Sequence, residues 1–243
     1  MNIGFYQAVS GMTSNWEYQT TLSSNLARLN VPGARGEINS FSSYLPTGEK
    51  YGNALSGPPV QTNRHFDFQQ GTIQMSDNPY HFAIMGESFF RIQEADGAES
   101  FTRNGQFNKN PDGSLSTTDG ALVLNNNGTP LTLPNTGEFT VDDYGNVLID
   151  GRTADMMGLA NFNNPVEDLR LSRFGRFKAN NAVEPNLNMP LNDRVYQGKL
   201  EASNIQAIDQ MVTMIEISRA FEANQKLIRA EDDARGQLLD ILN

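Results

Sequence analysis

The stretch LEASNIQAIDQMVTMIEISRAFEANQKLI, residues 200–228, decides how the chain is organised. Its apolar residues recur at spacings of three and four, which is the pattern of one face of an amphipathic helix. Ser203 and Gln206 match a capping box, so the helix is expected to run from about Asn204 to Ile241. An apolar stripe of this length needs a partner, and the rest of the chain indicates what that partner is.

The N-terminus carries a second stripe of the same kind. Its apolar residues fall at helical spacings, and Asn30-Val31-Pro32-Gly33 is expected to end the helix, because proline lacks an amide hydrogen and disfavours helix in the residue before it. Two such helices can pair within the monomer or with other copies, and the length of the stripes favours other copies. The expected subunit-interface residues are Phe5, Val9, Met12, Trp16, Leu26, Ile208, Met211, Met214, Ile215, Phe221, Ile228 and Leu239.

Between the helices the pattern changes to short β-type runs separated by turn signals. Arg103-Asn104-Gly105-Gln106 predicts a two-residue hairpin between strands that carry Phe101 and Phe107. Short strands at such close spacing indicate a barrel or sandwich-like β domain. Further turns are predicted at Pro111-Asp112-Gly113, Asp119-Gly120, Asn127-Gly128 and Tyr144-Gly145-Asn146.

The predicted fold class is therefore α+β, with long N- and C-terminal helices that form a coiled-coil region and a central all-β domain. The terminal helices are placed at residues 1–30 and 200–243, and the central β domain at 62–199. Residues 31–61 are rich in Ser, Gly, Pro and Asn, and are predicted to be an extended connector.

The composition excludes several classes of protein. The 243-residue chain has a formal charge of −10, which argues against nucleic-acid binding, since tracking phosphates needs a basic surface. Cysteine is absent, so disulfides, thiolate metal sites and cysteine nucleophiles are excluded. We expect no direct membrane insertion, and either a cytoplasmic protein or export without a cleaved signal peptide.

The sequence carries no constellation of residues that indicates catalysis. Motifs for nucleotide binding, serine hydrolysis and zinc proteolysis are absent. His65 and His81 each lie beside a phenylalanine and are expected to be ordinary strand residues rather than metal ligands. The acidic turns at Asp112 and Asp142 do not follow the spacing of a calcium loop. We therefore expect no enzyme, no catalytic residue, and no bound cofactor or metal.

One local cluster stands out in this acidic chain. RLSRFGRFK, residues 170–178, interleaves basic and aromatic residues. Edge strands often carry Lys and Arg to prevent unwanted pairing, which is the interpretation the sequence favours. The alternative is a contact patch for an acidic face of a neighbouring subunit, ahead of nucleic acid.

The two terminal segments resemble one known family. QGKLEASNIQAIDQMVTMIEISRAFEANQKLI, residues 197–228, is similar to the closing motif of bacterial flagellar rod and hook proteins, Q-G-x-L-E-x-S-N-V followed by M-I-x-x-x-R-x-[YF]-E-x-N-x-K-x-I. Ile205 stands where valine is usual. SSNLARLNVPGARGEINSF, residues 23–41, resembles the N-N-x-A-N-x-x-T-x-G-[FY]-[KR] segment of that family, with Arg28 and Ala34 as departures.

The centre of the chain agrees with this resemblance. Residues 71–124 are similar to the G-x-[LI]-x-x-T-x-[NR]-P-x-[DH]-[LF]-A-I-x-G-x-G-[FW]-F block and its [YF]-T-R-[DN]-G-x-[FL] continuation, although Glu87-Ser88 replaces D-G. The chain has no room for the large insertions of hook proteins. Three features resemble the proximal rod protein more than the distal one: Pro32-Gly33-Ala34-Arg35, the sequence TRNG at 102–105, and the acidic tail at 231–239.

The resemblance implies a structural subunit of the flagellar basal-body rod. Such a subunit polymerises through its terminal helices into a hollow drive shaft that transmits torque from motor to hook. The implied partners are other copies, the neighbouring proximal and distal rod proteins, and the flagellar type III export apparatus during secretion to the periplasmic rod. A distal rod subunit and a non-flagellar β-domain binding module remain the alternatives.

Overall fold

The computed structural model describes residues 3–43, 60–134, 138–180, 183–187, 190 and 192–242. Its helices are α1 (Ile3–Arg28), α2 (Pro165–Asp168) and α3 (Ala207–Leu242). Its strands are β1 (Glu37–Ser43), β2 (Val60–Phe66), β3 (Ile73–Met75), β4 (Phe82–Met85), β5 (Phe89–Gln93), β6 (Glu99–Thr102), β7 (Phe107–Lys109), β8 (Leu115–Thr117), β9 (Leu122–Val123), β10 (Phe139–Val141), β11 (Asn146–Ile149), β12 (Arg152–Met156), β13 (Leu159–Ala160), β14 (Leu169–Leu171), β15 (Phe177–Ala179), β16 (Arg194–Gln197) and β17 (Lys199–Glu201).

The chain divides into two compact units. The terminal unit consists of Met1–Ala27, Glu37–Phe66 and Gln206–Asn243, and the β unit consists of Arg28–Gly36 and Asp67–Ile205. The β unit therefore contains the segment that follows α1 and the segment that precedes α3, although these lie at opposite ends of the sequence.

The β unit is built from antiparallel sheets. The largest sheet has the strand order β14-β15-β6-β5-β9-β8-β7, and β13 adds to it by pairing with β5. The smaller sheets are β10-β11-β12, β16-β4 and β17-β3. The last two strands before α3, β16 and β17, pair with β4 and β3 from the early part of the β unit. Backbone hydrogen bonds therefore hold the early and late parts of this unit together.

Strand β5 is buried on both of its faces. Successive side chains of a strand point to opposite sides, so Phe89 and Phe90 enter different clusters. Phe90 meets Phe82 and Phe107 in the main apolar core, while Phe89 makes ring contacts with Phe162 and Phe177 on the other side. Burying each of these side chains stabilises the fold by roughly 1.5–3 kcal/mol.

Four of the predicted turns are confirmed. Gly113, Gly120, Gly128 and Gly145 all have positive φ, which the sequence pattern demands of a glycine at these places. The predicted hairpin at Arg103–Gln106 is wrong, since β6 pairs with β5 and β15, whereas β7 pairs with β8. A two-residue hairpin turn would need positive φ at its central residues, and neither Asn104 nor Gly105 has it.

In the terminal unit α1 and α3 lie side by side and antiparallel. Asn25 of α1 donates a hydrogen bond to Gln210 of α3 at 3.0 Å, and a Cβ on Gly11 would lie 3.0 Å from the Asn224 side chain. From Asn25 back to Gly11 is a step of 14 residues in α1, and the residues opposite them, Gln210 and Asn224, are 14 residues apart in the forward direction of α3. The strands β1 and β2 of the same unit pair along seven residues.

The predicted fold class is wrong in its helical part. By number of elements the described chain is mostly β, with 17 strands and three helices, one of which has only four residues. A coiled coil would bury an apolar seam along both long helices. Among the described residues, however, α1 and α3 fully bury only one large apolar side chain each, Leu22 and Ile217. The two helices are therefore not a coiled-coil region in this chain.

The start of α3 also differs from the prediction. The helix begins at Ala207, and the Ser203 hydroxyl accepts a hydrogen bond from the Ile205 amide rather than from Gln206 as a cap would. Residues 203–205 are held by the β unit instead. Within the described residues, no helix has a stretch apolar enough to cross a bilayer.

Candidate functional site

Three charged side chains form a fully buried ion cluster in the β unit: Arg35, Arg103 and Glu201. One carboxylate oxygen of Glu201, Oε1, lies 2.7 Å from Nη1 of Arg35 and accepts a hydrogen bond from the Gly71 amide at 2.8 Å. The other oxygen, Oε2, lies 3.5 Å from Nη1 of Arg103. The cluster therefore joins the segment after α1, the segment after β6 and the last strand before α3.

Two glycines allow the backbones to approach closely enough for the cluster to form. Gly33, the glycine of the helix-ending sequence, has φ +66° and donates its amide to the Glu201 carbonyl at 2.7 Å. A Cβ on Gly33 would lie 2.3 Å from the carbonyl carbon of Arg103, and a Cβ on Gly71 would lie 2.0 Å from the Ala202 carbonyl oxygen. Neither position has room for a side chain.

Arg103 is held by further groups. It donates to the Gly86 carbonyl at 2.7 Å, and its guanidinium carbon lies 4.8 Å from the centre of the Phe89 ring. Burial and the nearby positive charge of Arg35 lower the pKa of Arg103 to about 10, against the opposing influence of Glu201 and Asp193. Because this pKa still lies well above neutrality, Arg103 keeps its positive charge at pH 7.

The cluster contains polar atoms that lack hydrogen-bond partners among the described residues. These are Nε and Nη2 of Arg35, Nε and Nη1 of Arg103, and Oε2 of Glu201. Removing one member of a buried ion pair leaves an uncompensated charge, which costs about 3–5 kcal/mol. Removing any one of the three side chains is therefore expected to destabilise the β unit, because three chain segments meet at this cluster.

Two asparagines of the terminal motifs serve as backbone clamps. Asn204 accepts from the Gly36 amide at 2.8 Å and donates to the carbonyls of Asp67 and Gln69, all within the β unit. Asn25, in the terminal unit, accepts from the Glu37 amide at 2.8 Å and donates to the carbonyl of that residue at 2.9 Å. In both cases one amide side chain satisfies the donor and acceptor groups of a neighbouring backbone.

This arrangement holds chain segments in place and contains no group poised for bond-making chemistry. The charged side chains contact one another and the backbone groups of Gly71 and Gly86. Among the residues that the structure describes, no three histidine or acidic side chains are close enough to hold a metal ion. The sequence motifs that surround Arg35 and Glu201 are thus explained by packing.

The candidate interface residues fall into two groups. Trp16 is 62% exposed, Ile208 is 72% exposed and Ile215 is 54% exposed, and Val9 and Met211 are also exposed. The second group is half-buried and comprises Met12, Leu26, Met214, Phe221 and Ile228. The side chains of Phe5 and Leu239 lie outside the described residues.

The stripe that the sequence predicts on α3 covers two different faces of the helix. Met214 and Ile215 are adjacent, so they point about 100° apart. Phe221 and Ile228 are half-buried like Met214, and Ile217 beside them is buried. Ile208, Met211, Val212 and Ile215 form a separate exposed group, which we call the exposed α3 face.

The basic and aromatic cluster at residues 170–178 also divides into two parts. Arg176 is buried and pairs with Asp119 and Thr117, and Lys178 lies 3.4 Å from Glu94. Arg170, Leu171, Arg173 and Phe174 are exposed. Strand β14, which contains Arg170, is the edge strand of the largest sheet, as the favoured interpretation of the sequence requires.

Comparison with known proteins identifies similar chains. The model of the flagellar basal body rod FlgEFG protein C-terminal region matches residues 196–241, and that of the flagellar hook protein FlgE/F/G D1 domain matches residues 83–149.

Three curated relatives illustrate the likeness. The flagellar basal-body rod protein FlgG of Agrobacterium fabrum is 29% identical over 93% of this chain and 94% of its own length. The rod protein FlgF of Escherichia coli is 27% identical over 100% of this chain and 99% of its own length. The FlgF of Caulobacter vibrioides is 35% identical over 67% of this chain and 65% of its own length.

Proposed function

The chain belongs to the bacterial flagellar basal-body rod and hook protein family and is a structural subunit of the rod, and on that premise we propose that its copies bind one another through exposed apolar side chains of α1 and α3. The observation that carries the proposal is the exposed α3 face. Its four apolar residues lie next to one another in the first turns of the helix. A contiguous exposed apolar patch of this kind marks an interaction site.

The exposed α3 face has the geometry of a docking surface. Ile208, Met211 and Ile215 are spaced by three and four residues, so their side chains lie above one another on one side of α3. In the next turns the same side carries charged residues, Arg219 and Glu222. The apolar area is therefore bounded by polar groups, as in an interface with an apolar centre and a polar rim.

Helix α1 contributes a residue suited to the same role. Trp16 is exposed, and Val9 lies seven residues earlier on the same side of the helix. Tryptophan is enriched among the residues that dominate binding energy, because its large ring removes much apolar area from water when it is covered. We propose Trp16 as the main contact of α1 with a second subunit.

We further propose that the chain is the proximal rather than the distal rod subunit. The support comes from the sequence features that resemble the proximal protein. Two of them, Pro32–Arg35 and Thr102–Gly105, contain Arg35 and Arg103 of the ion cluster. Relatives named FlgF and FlgG match at similar identity, so a distal subunit is the second candidate. Complementation of cells that lack one or the other rod subunit tests the choice.

The remaining parts of the proposal concern location and partners. We propose that the chain lies in the periplasmic part of the rod, beside the neighbouring proximal and distal rod proteins, and that the flagellar type III apparatus exports it. The expected result is that the chain leaves the cytoplasm only in cells with a working export apparatus. Its presence outside the cytoplasm of export-deficient cells would contradict this route.

The interface is tested by Ile215→Asp in the full-length chain, expressed in cells that lack their own copy. Ile215 is largely exposed, so the variant is expected to fold with an unchanged melting temperature. Burying the new carboxylate against a second subunit is strongly unfavourable, so the variant should be missing from isolated basal bodies. The amount of the chain in basal bodies, relative to the wild type, is the measurement.

The matched control is Ala220→Asp. It places the same charge on an exposed position of α3 that lies about 130° around the helix from the exposed α3 face. It should enter basal bodies normally. If Ile215→Asp also enters normally and the cells swim, this face is not a subunit interface and the proposal is wrong.

A further inference from the structure

Phe174 presents its ring to solvent in an unfavourable backbone conformation. It lies in a single turn between β14 and β15, where it has φ +58° and is 73% exposed. A bulky residue with positive φ is rare, and such conformations concentrate at functional positions. Glycine would adopt this backbone conformation without steric strain, so the chain keeps a large side chain at a position where a smaller residue would be more stable.

The Phe174 ring lies near the guanidinium of a buried arginine. The guanidinium carbon of Arg176 lies 5.5 Å from the ring centre, and Arg176 is itself buried against Asp119 and Thr117. Arg170 and Arg173 of the same segment are exposed and form no ion pair among the described residues. Residues 170–175, the Phe174 loop, therefore combine an exposed aromatic ring with two exposed arginines that have no acidic partner there.

The β unit also contains a cavity that suits such a group. The cavity has a volume of about 420 Å³, which is ample for an aromatic ring. Met85 and Pro190 supply apolar walls, Asn192 and the exposed Glu87 lie at the surface, and the buried Asp193 also contributes to the lining. We call it the Glu87 cavity.

We propose that the Phe174 loop of one copy docks in the Glu87 cavity of a second copy. Phe174 would lie against Met85 and Pro190, and Arg170 and Arg173 would approach Glu87. The charges favour a second copy as the partner, since the loop is locally basic while the chain as a whole has a charge of −10. The family models match residues 83–149 and 196–241, so neither match includes the Phe174 loop.

The contact joins two different surfaces, so it does not close on itself in a pair. Contacts of this kind repeat from one copy to the next and build rings or open helical assemblies. The inference therefore rests on the proposed function, in which copies of the chain assemble into a rod. It adds a contact made by the β unit to the contacts made by α1 and α3.

Disulfide crosslinking tests the contact directly. The chain has no cysteine, so Ser172→Cys and Asn192→Cys introduce the only thiols, and Phe174 stays in place. After mild oxidation of basal bodies that contain the double variant, we expect a ladder of covalently linked copies. Each single variant should stay monomeric. Linked pairs formed by Ser172→Cys alone would mean that the loops meet each other, which overturns the proposal. The absence of a ladder in assembled rods of the double variant overturns it as well.

A second variant separates docking from stability. Phe174→Gly suits the positive φ, so the purified chain should keep or raise its melting temperature, while its amount in basal bodies should fall about tenfold or more. Met75→Ala removes another exposed apolar side chain and should have no effect. Arg170→Glu with Arg173→Glu should lower incorporation in the same way.

The outcomes distinguish this inference from the proposed function. If Phe174→Gly enters basal bodies like the wild type, the docking contact is wrong and the rod function is untouched. If the wild-type chain itself is absent from basal bodies, the proposed function fails first. A lower melting temperature of Phe174→Gly with normal incorporation would assign the loop a structural role only.

Discussion

Glu201 and Arg35 stand 166 positions apart in the sequence, yet their side chains are completely buried against each other, with 2.7 Å between Oε1 and Nη1. Glu201 ends the last strand before α3, and Arg35 follows α1. The pair therefore makes the folding of the β unit depend on segments from both ends of the sequence.

Breaking this pair should destabilise the β unit strongly. Glu201→Gln removes the negative charge and leaves two buried arginines without compensation, so we expect a loss of about 3–5 kcal/mol in the free energy of unfolding. Urea denaturation followed by far-ultraviolet circular dichroism measures this loss.

The control is Arg64→Gln, which removes the exposed member of the pair that Arg64 forms with Glu37 at 3.7 Å. That variant should lose less than about 1 kcal/mol. Equal losses for the two variants would show that burial of the cluster does not determine its importance.

Gly33→Ala should be severely destabilising, because two costs add at this position. The residue has φ +66°, and the new methyl group would lie 2.3 Å from the Arg103 carbonyl carbon. We expect a loss of about 3 kcal/mol or more. Gly97→Ala isolates the first cost, since Gly97 has φ +83° and nothing within 4 Å of a Cβ. It should lose about 1 kcal/mol. Thermal melts of the two variants compare them, and similar losses would refute the close approach of the backbones.

Asn204→Asp should weaken the attachment of the segment before α3. The Asn204 amide donates to two carbonyls, and a carboxylate would replace these donors with negative charge. We expect a loss of about 1–3 kcal/mol in the β unit. The exposed Asn163 provides the control, because Asn163→Asp adds the same charge away from these hydrogen bonds. A variant Asn204→Asp as stable as the control would mean that the clamp contributes nothing.

His81 should make the β unit less stable in mild acid. Burial lowers the pKa of His81 below its ordinary value of 6.5, and its ring nitrogens contact Ser76 and Asn78. The folded state thus disfavours the protonated ring. The stabilising contribution is present above pH 6.5 and is lost as the pH falls from there through the lowered pKa of the folded state.

The pH dependence is checked by urea denaturation at several pH values. His81→Gln should flatten the decline below pH 6.5. A decline that persists in His81→Gln would assign it to other groups.

The sequence predicts local features of this chain well where the local energy is decisive. Gly113, Gly120, Gly128 and Gly145 occupy positive-φ turns because no other residue takes that conformation as easily. The end of α1 near Pro32 follows from the missing amide and the steric effect of proline. These outcomes depend on a few neighbouring residues, so a single sequence contains the necessary information.

The misjudged features are those that distant residues control. Asn104-Gly105 has the composition of a hairpin turn, but Arg103 is drawn into the ion cluster, and Gly105 packs so closely on Phe82 that a Cβ would lie 1.8 Å from its carbonyl oxygen. Ser203 has the spacing of a helix cap, but the Asn204 side chain is hydrogen-bonded to Gly36 and Asp67, and α3 begins only at Ala207. The pairing of β1 with β2 was not predicted, because their polar residues give a weak strand pattern.

By itself, then, the sequence determined where most of the predicted turns lie and which family the motifs resemble, since proline and glycine act over a few residues. Only the tertiary structure decided that Arg35, Arg103 and Glu201 meet, that Arg176 is buried while Phe174 is exposed, and which side of α3 remains uncovered. These features arise from burial and ion pairing between residues far apart in the chain, and the free energy of such contacts exceeds the local preferences that a sequence pattern expresses.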